Sequence, residues 1–391
     1  MTPRVVIVGG GVMGTATACF LARDHAAAVT VLERDPTHSR ASSALSASSI
    51  RQQFSTAVNI ALSRWSVAFL RRVGDELAVG GERPSVGLVE PGYLVLSTAA
   101  GVPAMRANHG VQREAGAEVA LLSPAELRQR FDWLRVDDVA LGALGLAGEG
   151  WFDGPALLAA LRRKALACGA RFVAAEVAGF DTRADRVTAV VSADGARHAG
   201  DAFVLCAGAW SAALAATLGV DLPVRARKRD VFVFDSPASL PSSPLVVDPS
   251  GVWWRPEGRG FIGGAPPREP WPGDPDEPPL DAIDHALFDE VIWPVLAHRV
   301  PAFEALRLRS AWAGYYEMNL FDHNGIAGAL PGWRNAFTAC GFSGHGMQQA
   351  PAVGCALAAR VAGGACDAPD LAPLSPRRIA RGEPLVERNV I

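Results

Sequence analysis

The strongest constraint on this chain lies in its first 33 residues. Arg4 to Val8 is a short, apolar, β-branched run, the pattern of a parallel strand buried on both faces. It leads directly into Gly9-Gly10-Gly11-Val12-Met13-Gly14. Val12 to Ala27 then has helical periodicity, and Val29 to Leu32 is a second buried strand closed by Glu33. A glycine motif that ends a strand and opens a helix stands in the context that binds a dinucleotide. Gly9 allows the tight turn, Gly11 lets the backbone approach a pyrophosphate, and Gly14 lets the helix pack close to the sheet. The helix start at Val12 and Met13 offers free N–H groups and a positive dipole end to the phosphates. Glu33, followed by Arg34, stands where an acid bonds a ribose hydroxyl, and its charge would repel a 2′-phosphate. These residues serve FAD and NAD equally.

A chain of 391 residues is too long for one small core and calls for two domains. Residues 36–55 are polar and hold Ser42, Ser43, Ser46, Ser48 and Ser49 before Ile50-Arg51-Gln52-Gln53-Phe54. The plain alternative for this stretch is a solvated linker. Helices are expected over Ala57–Val73, Pro155–Cys168, Asp281–Arg299 and Gly346–Ala362. Strands are expected over Gly92–Leu96, Arg171–Val177, Ala202–Cys206 and Ala336–Cys340, with a hairpin from Arg186 through Asp194-Gly195. Past Pro223, Val231–Phe234, Gly251–Arg255 and Gly260–Gly263 read as strands between Pro- and Gly-rich turns. Seven prolines within 265–280 mark a surface loop. The β-α-β units at the start and middle, and a strand-helix unit at the end, imply an α/β fold with a Rossmann-like nucleotide domain of discontinuous segments: 1–85, 145–222 and 325–391. Residues 86–144 and 223–324 then form an α+β substrate domain with an antiparallel sheet.

Composition excludes several classes. A net charge of −3 gives no electrostatic case for nucleic acid or an anionic membrane surface. Cys19, Cys168, Cys206, Cys340, Cys355 and Cys366 are scattered without a CxxC pair, which reads as reduced thiols in a cytoplasmic protein rather than a metal or disulfide framework. No run of 18 apolar residues calls for a membrane span. The opening Met1-Thr2-Pro3-Arg4 carries no signal-peptide pattern. No metal-ligand cluster and no Ser/His/Asp set stands out, and no pattern specifies an oligomeric state.

Three further segments separate FAD from NAD. Ser39 to Ser55 resembles the Ser-rich loop that follows the acid in the D-amino-acid-oxidase-like flavoproteins, the glycine oxidase and sarcosine oxidase group. Val204-Leu205-Cys206-Ala207-Gly208-Ala209-Trp210-Ser211 resembles that group's strand-to-turn motif. Gly341-Phe342-Ser343-Gly344-His345-Gly346-Met347-Gln348 resembles its C-terminal flavin loop. Within the group, Ile50 to Ser55, Gly341 to Pro351 and the tail Leu371 to Ile391 resemble the branch of the mitochondrial FAD-dependent oxidoreductase tied to respiratory complex I assembly. The resemblance implies FAD, held by the Gly9–Gly14 turn, Glu33, Arg34, Ser42, Ser43, Ser49, Ile50, Arg51, Ala207, Gly208 and Trp210. It adds Gly314, Gly344, His345, Gly346, Met347 and Gln348, with Val177 on the adenine side. Independently of it, a Gly-rich turn at a helix start supplies donors where a reduced flavin gathers negative charge.

The chain departs from the family at informative places. Gly314 stands where some sarcosine oxidases carry a flavin-linking Cys, so FAD is expected to be non-covalent. Ile262 replaces an oxygen-activating Lys. Gln348 and Tyr316 stand where relatives place carboxylate-binding cations. Arg51 is then the first candidate for a substrate carboxylate, since a guanidinium suits bidentate binding, and Arg255 is the second. Tyr315, Tyr316 and Met347 are candidate pocket walls, while His345 and His323 read as structural. The expected chemistry is oxidation of the C–N bond of an amino acid or N-substituted glycine, with hydride transfer to flavin N5, imine hydrolysis and O2 as acceptor. The alternatives are an amine dehydrogenase that reduces a protein or quinone, and a non-catalytic flavoprotein assembly factor.

Overall fold

The structure, a computed structural model, describes residues 2–237, 240, 242–267 and 279–390. Two large sheets organise them. The first has six strands in the order 326–329, 336–340, 202–205, 4–8, 28–33, 171–174. All pairs are parallel except the outer one, Ile326–Ala329 against Ala336–Cys340. The helix Val12–Asp24 is buried at every position from Val12 to Ala22, because helices Gly154–Ala167 and Gly346–Ala362 cover it. A side chain at Gly354 would begin 2.6 Å from the Ala16 Cβ, so two helices cross here at backbone contact. A helix buried all round has no polar stripe, which is why only its apolar content signals it.

Some expected boundaries shift for identifiable reasons. The first helix stops at Asp24 rather than Ala27, since Ala26 takes a left-handed φ of 49° as the chain turns into Ala28–Glu33. The expected strand 171–177 divides. Pairing with the central sheet ends at Ala174, and Val177 instead opens a strand, Val177–Arg183, of a separate three-stranded antiparallel sheet. The helix expected from Asp281 starts at His285 and widens into a π-turn over Phe288–Ile292. Pro294 explains the widening, because it brings no N–H to the ladder and its ring crowds the preceding turn.

The second sheet has eight strands in the order 307–319, 224–235, 260–264, 253–257, 245–247, 93–97, 141–145, 119–122. It is antiparallel except where Leu245–Val247 runs parallel to Tyr93–Val95. One face buries Phe232, Phe234 and Trp254 against Phe303 and the helical segment 285–299. The long ladder of Val224–Asp235 on Arg307–Asn319 leads from this core to the central sheet. Residues 268–278 of the expected Pro-rich loop lie outside the described residues. Among those described, no helix is long and apolar enough to cross a membrane.

The C-terminal tail returns over the middle of the molecule. Asp322 pairs with Arg378 at 2.7 Å and accepts Leu385 N–H at 3.0 Å. Glu387 is fully buried and accepts from Ser55 N–H (2.8 Å), Ser55 Oγ (2.7 Å), Thr56 Oγ1 (2.8 Å) and Asn59 Nδ2 (3.0 Å). Burial alone would push this carboxyl up. The Ser55 hydrogen bonds, helped by Arg51 and Asn389 N–H, hold it below the usual range instead. A lowered native value means stabilisation that is present above the unfolded value and lost as pH falls through the native one. Glu387→Gln is therefore expected to cost about 2–3 kcal/mol at neutral pH. The gap between the two proteins' melting curves should close below roughly pH 4, as followed by circular dichroism.

Candidate functional site

The C-terminal ends of strands 4–8, 28–33 and 202–205 open into a cavity of about 740 Å³. Its floor is the glycine turn. Gly9 has φ +100°, and a side chain there would meet the Cys206 carbonyl oxygen at 2.3 Å; one at Gly14 would meet the Gly9 carbonyl oxygen at 2.0 Å. Gly14 therefore packs beneath the turn and is not itself in the cavity wall. Gly11 has ordinary φ, but a Cβ there would stand 3.2 Å from Ser43 Oγ, which accepts the Val12 N–H at 3.3 Å. Gly11, Val12 and Met13 line the cavity. Glu33 also lines it, fixed by Gly10 N–H at 2.6 Å and Asp35 N–H at 2.9 Å. Arg34 lies over the Trp210 ring, 3.8 Å from its centroid, with Val177 in the same wall. Close backbone approach, a helix start and a positioned acid fit an anionic dinucleotide.

Two loops form the opposite side. Ser42, Ser43 and Ser49 line the cavity, so the Ser-rich stretch is part of the site rather than a linker. Ile50 is a correction: its side chain is fully buried in the core under the central helices and does not reach the cavity. In the second loop, Ser343 and Gly344 have left-handed φ of 48° and 90°. A Cβ at Gly344 would lie 2.6 Å from the Tyr316 ring. The loop feeds the 17-residue helix Gly346–Ala362, whose positive end faces the cavity at Gly346. His345 is 2% exposed and packs edge-on against Phe54 at 4.9 Å. Burial, then the nearby Arg51, push its imidazole down, which favours the neutral ring. Gln348 Oε1 accepts Arg51 N–H at 2.9 Å and so positions that residue. Ala207, Gly208, Trp210, Gly314 and Met347 complete this part of the wall.

The cations divide into spent and available. Arg51 lines the cavity, but its guanidinium donates to the carbonyls of Gln53 (2.6 Å) and Asn389 and covers the Phe54 ring. The buried Glu149 holds the same loop, accepting Gln52 N–H at 2.7 Å and Gln53 Nε2 at 2.9 Å. Arg255 is not in the cavity wall. It pairs with Glu257 and donates to the Ala47 carbonyl at 2.8 Å, and its strand partner Ile262 is likewise outside the wall. The cation that sequence reasoning missed is Arg229. It lines the cavity, lies 5.1 Å from the centroid of Tyr316, donates to the Lys228 carbonyl at 3.0 Å and forms no ion pair among the described residues. Its only sequence signal was alternation in Arg225-Ala226-Arg227-Lys228-Arg229, which also describes a solvated face. Tyr315 and Tyr316 are in the wall, and Tyr315 OH accepts from Arg40 Nη2 at 3.1 Å.

The comparisons agree with this geometry. Residues 4–360 match the family DAO, FAD dependent oxidoreductase. The chain is 41% identical to FAD-dependent oxidoreductase domain-containing protein 1 of Xenopus laevis, over 99% of this chain and 84% of that one. It is 30% identical to glycine oxidase of Geobacillus kaustophilus, over 92% and 93%. The crystal structure of L-proline dehydrogenase from P. horikoshii superposes with a TM-score of 0.85 at 25% identity, covering 98% of this chain and 99% of that one. This chain belongs to the DAO family of FAD-dependent oxidoreductases.

Proposed function

We propose that this protein oxidises the C–N bond of an amino acid or N-substituted glycine whose carboxylate is held by Arg229. The observation that carries the reading is the placement of Arg229 and Tyr316 in the same cavity as the glycine turn and the 341–348 loop. FAD, bound without a covalent link at Gly314, supplies the acceptor for a hydride from the carbon next to nitrogen. The glycine turn and Glu33 hold its adenosine and phosphates. The Gly344–Gly346 backbone and the helix start behind it favour negative charge at the other end. Arg229 binds the carboxylate and, with Arg51, disfavours a positive ammonium nearby, so the amine keeps the lone pair that drives its oxidation. His345 stays neutral, and no side chain is assigned as a base. The domain division at 1–85, 145–222 and 325–391 against 86–144 and 223–324 belongs to this reading. All six cysteines are unpaired, which supports a reducing compartment, the cytoplasm.

Oxygen is the proposed acceptor, although no lysine lines the cavity among the described residues. Anaerobic flavin absorbance against amino acids and N-substituted glycines, followed by readmission of air, decides the matter. The expected result is bleaching with rapid recovery. Slow recovery moves the acceptor to a protein or quinone, and no bleaching with any of these amines contradicts the proposal.

Arg229→Gln should lower kcat/KM by roughly thirtyfold to a thousandfold, about 2–4 kcal/mol of transition-state stabilisation, because the substrate carboxylate then lies in the cavity unpaired. The same variant should lose much less on the decarboxylated amine, which keeps Arg51 as a cation disfavouring its ammonium form and has no carboxylate to leave unpaired. An equal loss on both compounds would assign Arg229 to the fold.

A further inference from the structure

Glu317 lines the cavity, and the proposed reaction gives it no task. It follows Tyr316 in the strand Arg307–Asn319, and its ladder partner is Ala226 rather than a cation. Its Oε1 accepts the Phe342 N–H at 3.4 Å. The same oxygen lies 3.3 Å from the point where a side chain at Gly346 would begin, and Oε2 lies 3.8 Å from that point at Gly208. The carboxyl group thus lies between both loops that are expected to flank the flavin, near the start of the final helix on one side and the Ala207-Gly208 turn on the other. The groups facing it are the thiols of Cys206 and Cys340, the amides of Gly341 and Phe342 and the positive end of the helix at Gly346. Among the described residues, no Lys, Arg or His forms an ion pair with it.

We propose that Glu317 binds a solvent proton when the FAD in this cavity is reduced, and so couples the flavin's midpoint potential to pH. The balance is simple. Two electrons and one proton enter the flavin together and leave it with one additional negative charge. A second proton comes from water, adds to the Glu317 carboxylate, and cancels that charge. Reoxidation releases it. Burial already pushes this carboxyl up to about 7, against the pull of the Gly341 and Phe342 amides. A new negative charge nearby raises it further. Between the oxidised-state and reduced-state values, reduction therefore takes up one proton more than it does outside that window.

The inference rests on FAD binding and not on the amine substrate. The test uses dithionite as reductant, so its failure leaves the C–N oxidation reading intact. Midpoint potentials of the FAD-loaded protein are measured against a reference dye from mildly acidic to alkaline pH. The expected slope above neutrality is twice that of a one-proton, two-electron couple, and it returns to the single value at higher pH. Glu317→Gln should lose the steep window, and Glu317→Asp should keep it at a displaced pH. With excess dithionite removed, readmitted oxygen takes both protons as hydrogen peroxide forms, so a pH indicator should record no net change inside the steep window and uptake of one proton per flavin outside it. A one-proton slope throughout the alkaline range in the unaltered protein overturns the proposal, whether or not the Gln variant retains FAD. An unchanged steep window in Glu317→Gln overturns it too.

Discussion

Everything in the site depends on backbone contact at the glycine turn. The Gly14 position touches the Gly9 carbonyl, and Gly9 touches the Cys206 carbonyl, so one turn, one helix and the neighbouring strand meet without side chains between them. That approach sets where the helix start points and leaves the Glu33 carboxylate beside it. Added Cβ atoms would have to displace backbone rather than a flexible side chain, and overpacked positions cost about 1–3 kcal/mol even in forgiving cores. The same economy recurs where Gly354 lets the final helix lie on the first. A fixed cavity follows from small residues at two separate places in the sequence, the 9–14 turn and Gly354.

A second constraint fixes the opposite wall. The tail residues Glu387 and Asn389 hold Ser55, Thr56, Gln53 and the Arg51 guanidinium, while Gln348 holds the Arg51 N–H. A buried guanidinium is tolerable only when its donors are met, and here the carbonyls of Gln53 and Asn389 meet two of them. Arg51 is therefore suited to holding its loop and to contributing positive potential. Arg229 differs. One donor goes to the neighbouring Lys228 carbonyl and the ring of Tyr316 flanks it, so an arriving carboxylate would supply the missing partner for an already partly desolvated charge. The two arginines look alike in sequence and are separated by what surrounds them.

Local pattern explains what was legible. The strand Arg4–Val8, the glycine turn and the final helix all announced themselves through apolar runs and punctuation, and their limits agree with the structure to within a few residues. The helix Val102–Glu114 did not, because its apolar side is thin: Gln112 is its one buried residue, and Met105 and Val111 are only partly buried. The strand Arg307–Asn319 mixes exposed and buried positions, and only its pairing with Val224–Asp235 gives it a face. Arg229 and Glu317 lie in these two strands, so their place in the cavity comes from a ladder between distant segments. Arg255, by contrast, looked functional beside two tryptophans, yet its strand turns it toward Ala47 and Glu257. Resemblance carried the identity of the cofactor. Tertiary pairing decides which side chains meet it.

The central claim is that the carboxylate of the substrate is read by Arg229 while Arg51 holds the loop. A crystal structure of the FAD-loaded protein with a non-reacting carboxylate, such as acetate or a thioether acid, tests it most directly. The account predicts the carboxylate on the Arg229 guanidinium beside Tyr316, with Arg51 still bonded to the carbonyls of Gln53 and Asn389. A carboxylate seated on Arg51, with those carbonyls displaced and Arg229 uninvolved, would contradict it.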